Sequence, residues 1–197
     1  MSPTSTTISL SLSLFFFWTL LALPTTSAFP PPRAAPPLAK RCTNLLSNPS
    51  FETGIDPWLA MLTGSFTDQR GIYTSSSGGH SGANFYYAHG NSSVDATLTL
   101  SQSGFAIGSA APGEMECSTW VASRRPGNVG STRVEVFLDG ISCGTQYLGT
   151  TGWTKVGGKV KPSSDQTHTI AIVVNSDEAG DQGWSLWVDD VTVGQGC

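Results

Sequence analysis

Apolar and polar residues alternate with a period of two through most of the chain after residue 90. Val94, Ala96, Leu98 and Leu100 alternate with Asp95, Thr97 and Thr99. Met115, Cys117, Thr119 and Val121 alternate with Glu116, Ser118 and Trp120. Val134, Val136 and Leu138 do so with Glu135, Phe137 and Asp139, and Ile170, Ile172 and Val174 with Ala171 and Val173. This spacing, rich in β-branched residues, predicts half-buried strands. Turn residues separate the runs: Ser75 to Gly79, Arg125-Pro126-Gly127-Asn128, Asp139-Gly140 and Asp177 to Gly180. No stretch carries the period of a long amphipathic helix. Many short strands at this spacing predict an all-β fold, a two-sheet antiparallel β-sandwich of the jelly-roll kind.

The first residues break the pattern. Ile8 to Leu23 is an uncharged apolar run, followed by the small residues Thr26-Ser27-Ala28. It is short for a bilayer span, so residues 1–28 read as a cleaved secretory signal and the protein as secreted and extracellular. Residues 29–41 hold five prolines, at 30, 31, 32, 36 and 37, and end in Lys40-Arg41. Such a segment favours extended polyproline structure, and its dibasic end reads as a kexin-type processing site. The mature domain is then 42–197, enough for one core.

Charge changes the picture in one respect. The formal net charge is -4; losing Arg33, Lys40 and Arg41 takes it to about -7. An acidic surface repels phosphate backbones, so nucleic acid is excluded as a partner. No Lys/Arg cluster suggests an anionic membrane. Neutral glycans are compatible with this charge without being selected by it. The four cysteines, Cys42, Cys117, Cys143 and Cys197, predict two disulfides in an oxidising compartment, with three pairings open. No Cys-x-x-Cys occurs and His80, His89 and His168 are scattered, which argues against zinc.

The stretch Asn44-Leu45-Leu46-Ser47-Asn48-Pro49-Ser50-Phe51-Glu52-Thr53-Gly54-Ile55-Asp56-Pro57-Trp58 reads as an edge strand, a tight turn and a core plug. Glu52, beside the apolar Phe51, needs a partner or a metal. This stretch resembles the start of CenC-type carbohydrate-binding modules, which are galactose-binding-like β-sandwiches. Trp187-Val188-Asp189-Asp190-Val191-Thr192-Val193 resembles that family's last strand. His80-Ser81-Gly82, Leu138-Asp139-Gly140 and Thr151 to Val156 match its internal landmarks in order. The resemblance covers nearly all of 42–197, here as a secreted, stand-alone form of the fungal kind. It implies neighbouring first and last strands, hence the pairs Cys42–Cys197 and Cys117–Cys143. It also implies that Trp58 and Trp153, at landmark positions, are structural.

Three kinds of chemistry are in question. For metal, the resemblance implies a structural calcium held by Glu52 and the Asp189-Asp190 pair, since calcium takes carboxylate and carbonyl oxygens. Consecutive strand residues face opposite ways, so one aspartate serves unless a bulge intervenes, and Asp190 is the choice. The alternative is that these carboxylates bond backbone amides with no metal. For sugar, aromatic rings offer platforms to the apolar faces of pyranoses. The candidates are Trp120, Tyr86, Tyr87, Phe137 and Tyr147, with Trp184 and Trp187 behind them, and Arg124, Arg125 and Gln146 as hydrogen-bonding partners. Tyr86 and Tyr87 point opposite ways, so only one can join. For catalysis, a glycosidase needs two facing carboxyls, and no such pair or G-x-S-x-G elbow is evident. Asn91-Ser92-Ser93 is the one acceptable glycosylation sequon, at Asn91. The expected function is a monomeric, noncatalytic module binding a cell-wall polysaccharide or glycan. The alternatives are a wall-associated or host-facing protein that keeps the fold without sugar binding, and a hydrolase or lyase on a similar jelly roll.

Overall fold

The computed structural model describes residues 42–91, 95–108, 113–162 and 167–195. The proposed signal and pro-segment, Ser92, Ser93, Val94 and Cys197 lie outside them. Eleven strands form among the described residues: β1 (Thr43–Asn44), β2 (Leu59–Thr63), β3 (Phe66–Thr74), β4 (Asn84–Gly90), β5 (Ala96–Phe105), β6 (Met115–Arg124), β7 (Thr132–Leu138), β8 (Ile141–Leu148), β9 (Thr151–Val160), β10 (His168–Ser176) and β11 (Trp184–Gln195). The helical structure among them is one 3-10 turn, Pro126–Asn128, and no helix there is long and apolar enough to cross a membrane.

Two antiparallel sheets result. The first runs β3-β4-β11-β6-β9, with β1 pairing the far end of β11; the second runs β2-β5-β10-β7-β8. The alternation read from the sequence sets which side chains meet between them. Leu98, Leu100, Val134, Val136, Leu138, Ile170, Ile172 and Val174 of the second sheet are fully buried. They face Cys117, Val121, Val156, Leu186, Val188, Val191 and Val193 of the first. Each such side chain contributes about 1.5–3 kcal/mol by leaving water. The expected all-β sandwich is the fold observed.

The ends of the domain meet, as a sandwich of this kind requires. Thr43 pairs with Gln195, Asn44 Nδ2 donates to Val191 O at 2.7 Å, and Asn44 Oδ1 accepts from Val193 N–H. Cys42 is disulfide-bonded; its expected partner, Cys197, lies outside the described residues. Cys117 on β6 and Cys143 on β8 form the other expected bridge and tie the two sheets together at the β8–β9 edge. Closing a loop of 26 residues stabilises by roughly 3–4 kcal/mol through the unfolded chain.

The plug is built as its residues suggest. Asn48 donates from Nδ2 to Gly54 O and Asp56 O and accepts at Oδ1 from Thr53 N–H. Its carbonyl takes the Trp58 indole N–H at 3.0 Å. Phe51, fully buried, packs between Trp58 at 5.4 Å and Tyr86 at 6.3 Å. That leaves Glu52 at the rim, facing the loop that precedes β4.

Candidate functional site: a carboxylate clasp beside an aromatic hollow

The two aspartates of β11 leave the strand on the same side, because the strand is bulged there. Asp189 pairs with Trp120 but Thr192 pairs with Ser118, so β11 carries one residue more than β6 between these rungs. Asp190 sits at the bulge with φ of 45°, a conformation that Asp tolerates better than most residues. Inward parity is thereby restored at Val191 and Val193, and both carboxylates reach the segment before β4.

Each carboxylate then holds part of that segment. Asp189, with no exposed surface, accepts at Oδ2 from the N–H groups of His80 (2.7 Å) and Ser81 (3.1 Å) and at Oδ1 from that of Asp190 (2.7 Å). Asp190 accepts at Oδ1 from the hydroxyls of Ser50 (2.5 Å) and Ser81 (2.6 Å), and its Oδ2 pairs with His80 Nδ1 at 2.6 Å. Glu52 Oε1 accepts from the N–H groups of Ala83 (2.9 Å) and Asn84 (3.0 Å). The backbone must come close for this. A Cβ on Gly82 would lie 2.1 Å from Glu52 Oε1, and one on Gly79 2.3 Å from Asp189 Oδ2. Glycine is required at both positions. Burial pushes the Asp189 carboxyl up to about 6, against the pull of its amide hydrogen bonds. Burial also acts upward on Asp190, but hydrogen bonds from Ser50, Ser81 and His80 outweigh it and hold that carboxyl below the usual range.

The clasped segment covers part of the first sheet's outer face. The His80 ring stacks on Trp120 at 3.9 Å, 13° from parallel, and meets Trp153 edge-on at 5.9 Å. Beside this stack lies a hollow of about 280 Å³. Its floor is Ala122 and Gly152; Trp153 and Trp187 form two walls, and Ser75, Ser77 and Gly78 the loop side. Trp187 continues outward into a ladder, with Tyr87 at 5.3 Å and Tyr73 at 5.0 Å from Tyr87. The Tyr87 hydroxyl and His89 Nδ1 both meet Ser185 Oγ. At Gly152 the space is open: nothing lies within 4 Å of where its Cβ would be. None of the described residues lining the hollow is charged, so the two carboxyls of a glycosidase are not found there.

The sequence-predicted sugar residues do not form one cleft. Tyr87 and Trp120 share the outer face of the first sheet, whereas Phe137 and Tyr147 lie on the outer face of the second. Tyr86 and Trp184 face the core, 2% and 1% exposed, which corrects their expected place on the sugar-binding face. Trp120 is overlaid by His80 rather than open. Trp153, expected to be structural, is instead a wall of the hollow. Arg125 is buried and spent on Val129 O, Thr132 Oγ1, Ser176 Oγ and Asp177 O. Arg124 is exposed, and Gln146 donates to Lys155 O. Asn91 is exposed, with its N–H on Ser65 O. Trp187, one of the candidate platforms, does stand outward, between the core residues Leu186 and Val188, and lines the hollow. Ser75, Ser77 and His80 could not be placed from the sequence, because nothing local says where a polar loop will fold.

The chain matches no protein-family profile and no curated relative. Solved structures do resemble it. The carbohydrate-binding module TmCBM61, solved in complex with β-1,4-galactotriose, aligns with a TM-score of 0.55 at 21% identity, over 77% of this chain and 97% of that one. The arabinose-bound α-L-arabinofuranosidase MgGH51 aligns with a TM-score of 0.50 at 16% identity, over 77% of this chain and 26% of that one. Likeness at these identities shows the fold: a β-sandwich of the kind found in carbohydrate-binding modules.

Proposed function

We propose that this protein is a secreted, noncatalytic carbohydrate-binding module of CenC type that binds a neutral cell-wall glycan in the hollow beside the carboxylate clasp. One observation carries the reading: two half-buried tryptophans, Trp153 and Trp187, wall an uncharged hollow also lined by Ser75 and Ser77, whose hydroxyls bond each other at 2.7 Å. Indole faces pair with the C–H faces of a pyranose, and hydroxyls fix its orientation. An uncharged lining suits neutral sugars over uronates or sulfated chains, which would need a cation. Secretion is supported by the apolar N-terminal run and by paired cysteines.

Retention of the mature chain on insoluble cellulose, chitin, xylan, β-glucan and galactan tests this. Trp187→Ala removes one platform, and Gly152→Leu adds bulk at the floor, where a Cβ has nothing within 4 Å apart from its chain neighbours. Both variants are expected to fold and to lose retention. No retention of the wild type on any neutral glycan, or full retention by Gly152→Leu, overturns the reading. A second reading, a wall-associated or host-facing protein that keeps the fold without sugar binding, draws on the second sheet. Its outer face is lined by Thr99, Ser101, Ala171 and Val173 and offers few platforms.

Glu52 and Asp190 are the residues proposed to hold a structural calcium ion. The donors are of the right kind, the Glu52 and Asp190 carboxylates with the Ser50 and Ser81 hydroxyls that bond Asp190. Asp189 is the least suited, because main-chain N–H groups hold both of its oxygens, whereas Glu52 takes its N–H groups at Oε1 and Asp190 is held by hydroxyls and His80. Among the described residues no three His, Cys, Asp or Glu side chains converge as metal ligands, so main-chain carbonyls would have to complete the shell. Bound there, the ion would supply positive charge between two carboxylates and lock the clasp. A melting temperature lowered by chelator in the wild type but not in Glu52→Gln is the expected sign; one unchanged by chelator removes the ion.

A further inference from the structure

The sandwich has a second hollow, at the edge opposite the Cys117–Cys143 bridge. There β2 and β3 end their respective sheets, and a cleft of about 430 Å³ opens between them. Its walls are inward-row residues left partly uncovered: Ala60 and Leu62 of β2, Ile72 of β3, and Ile55 of the plug. Tyr86 lies on its floor, on the row of β4 that faces the core. The cleft is therefore a part of the core that neither sheet closes, within the volume range of small-molecule sites.

One charged residue lines it, Arg70. Arg70 pairs with Ala88 across β3–β4, and Ala88 is a core position with no exposure. Arg70 thus stands on the inward row of its strand, where alternation calls for an apolar residue. Its Nη1 donates to Thr67 O at 3.0 Å; among the described residues the rest of the guanidinium has no acidic partner. Burial pushes the Tyr86 hydroxyl pKa up, and the nearby Arg70 charge partly offsets this. An inward charge on an edge strand deters sheet-to-sheet pairing. That accounts for a cation, but not for a cleft with a tyrosine floor beneath it.

We propose that this cleft binds a small amphipathic acid, with its hydrocarbon body on Ile55, Ala60, Leu62 and Ile72 and its carboxylate on Arg70, assisted by the Tyr86 hydroxyl. The chemistry is complementary: an apolar channel, one cation at the rim and a hydroxyl donor beside it. Sugars are poorly served, since the walls are aliphatic and carry few hydrogen-bonding groups. The site is separate from the tryptophan hollow and does not depend on glycan binding.

The test uses the mature chain with octanoate and, as the uncharged counterpart, octanol, followed by amide chemical shifts and titration calorimetry. Octanoate is expected to bind more tightly than octanol, with shifts at Leu62, Ile72 and Tyr86. Arg70→Gln should weaken octanoate about tenfold, the scale of one charge-assisted hydrogen bond, while leaving octanol unchanged. Leu62→Trp should abolish both, and Trp187→Ala neither. Equal binding of octanoate and octanol, no binding of either, or octanoate affinity indifferent to Arg70→Gln overturns the proposal. Retention of octanol by Arg70→Gln shows that the cleft is still formed.

Discussion

The outer faces of the two sheets obey the same alternation and carry opposite chemistry. On the β3-β4-β11-β6-β9 sheet, Tyr73, Tyr87, Trp187 and Trp120 occupy outward positions, and a polar loop is pinned over part of them. On the β2-β5-β10-β7-β8 sheet, the middle strands present Thr99, Ser101, Ala171 and Val173. Of the larger side chains there, Phe137 stands on β7 beside Ala171, whereas Leu59, Met61 and Tyr147 stand on the edge strands, 58%, 53% and 70% exposed. Arg133 and Glu135 pair on that face, and Ser142 donates to Glu135. The first face has walls because the carboxylates of the chain ends hold a loop above it; among the described residues no loop is held over the second in this way. What distinguishes a walled face from a bare one here is the anchoring of a segment from elsewhere in the chain, more than the number of aromatics on the strands.

The comparison is broken most severely by removing the anchor. Asp189→Ala leaves three amide N–H groups without their acceptor in a buried place, which is expected to cost roughly 3–5 kcal/mol in urea unfolding. Thr99→Ala on the bare face should stay within about 0.5 kcal/mol. If the two costs are alike, the clasp is not what organises the first face.

Next in size is the platform itself. Trp187→Ala is expected to weaken glycan binding about tenfold, or roughly 1.4 kcal/mol, as measured by affinity electrophoresis. Tyr147→Ala, the most exposed aromatic of the other face, should change it less than twofold on the same scale. The reverse ranking would move the site to the second sheet.

A smaller effect lies in the pH dependence of stability. The Asp189 carboxyl is raised from 3.8 to about 6. Its contribution is therefore fully present below pH 3.8 and is lost as pH rises through about 6. Asp190 is lowered from 3.8, so its contribution is present above that pH and is lost as pH falls through its folded value. Between pH 3.8 and about 6, wild-type stability should lose ground relative to Asp189→Asn as pH rises. Urea midpoints that run parallel for the two proteins across this window would show that Asp189 is not strained by burial.

Much of the fold was legible because alternation is a local property. Leu98, Val136, Ile172 and Val121 reveal their strands without reference to any partner, and a sandwich follows from having enough of them. The Cys117–Cys143 pairing and the joining of the chain ends came from the family resemblance, not from periodicity. The site was less legible for two physical reasons. Parity says that Trp120 and Phe137 face outward but not that they belong to different sheets, which depends on strand order. A bulge is invisible to a period-two reading, so Asp189 and Asp190 seemed to exclude each other until the extra residue at Asp190 put both on one side. His80 illustrates the same limit. The resemblance marks His80-Ser81-Gly82 as a landmark, but nothing local gives the histidine a role; stacked on Trp120 and paired with Asp190, it joins the clasp to the hollow.

If the carboxylate clasp shapes a neutral-sugar site between Trp153 and Trp187, amide and indole chemical shifts during titration with β-1,4-galactotriose and other neutral oligosaccharides report it directly. The predicted result is that shifts confined to Ser75, Ser77, Gly78, Gly152, Trp153 and Trp187 appear with at least one of them and vanish in Asp189→Ala. Shifts centred on Phe137 and Tyr147, or shifts that survive Asp189→Ala unchanged, would contradict it.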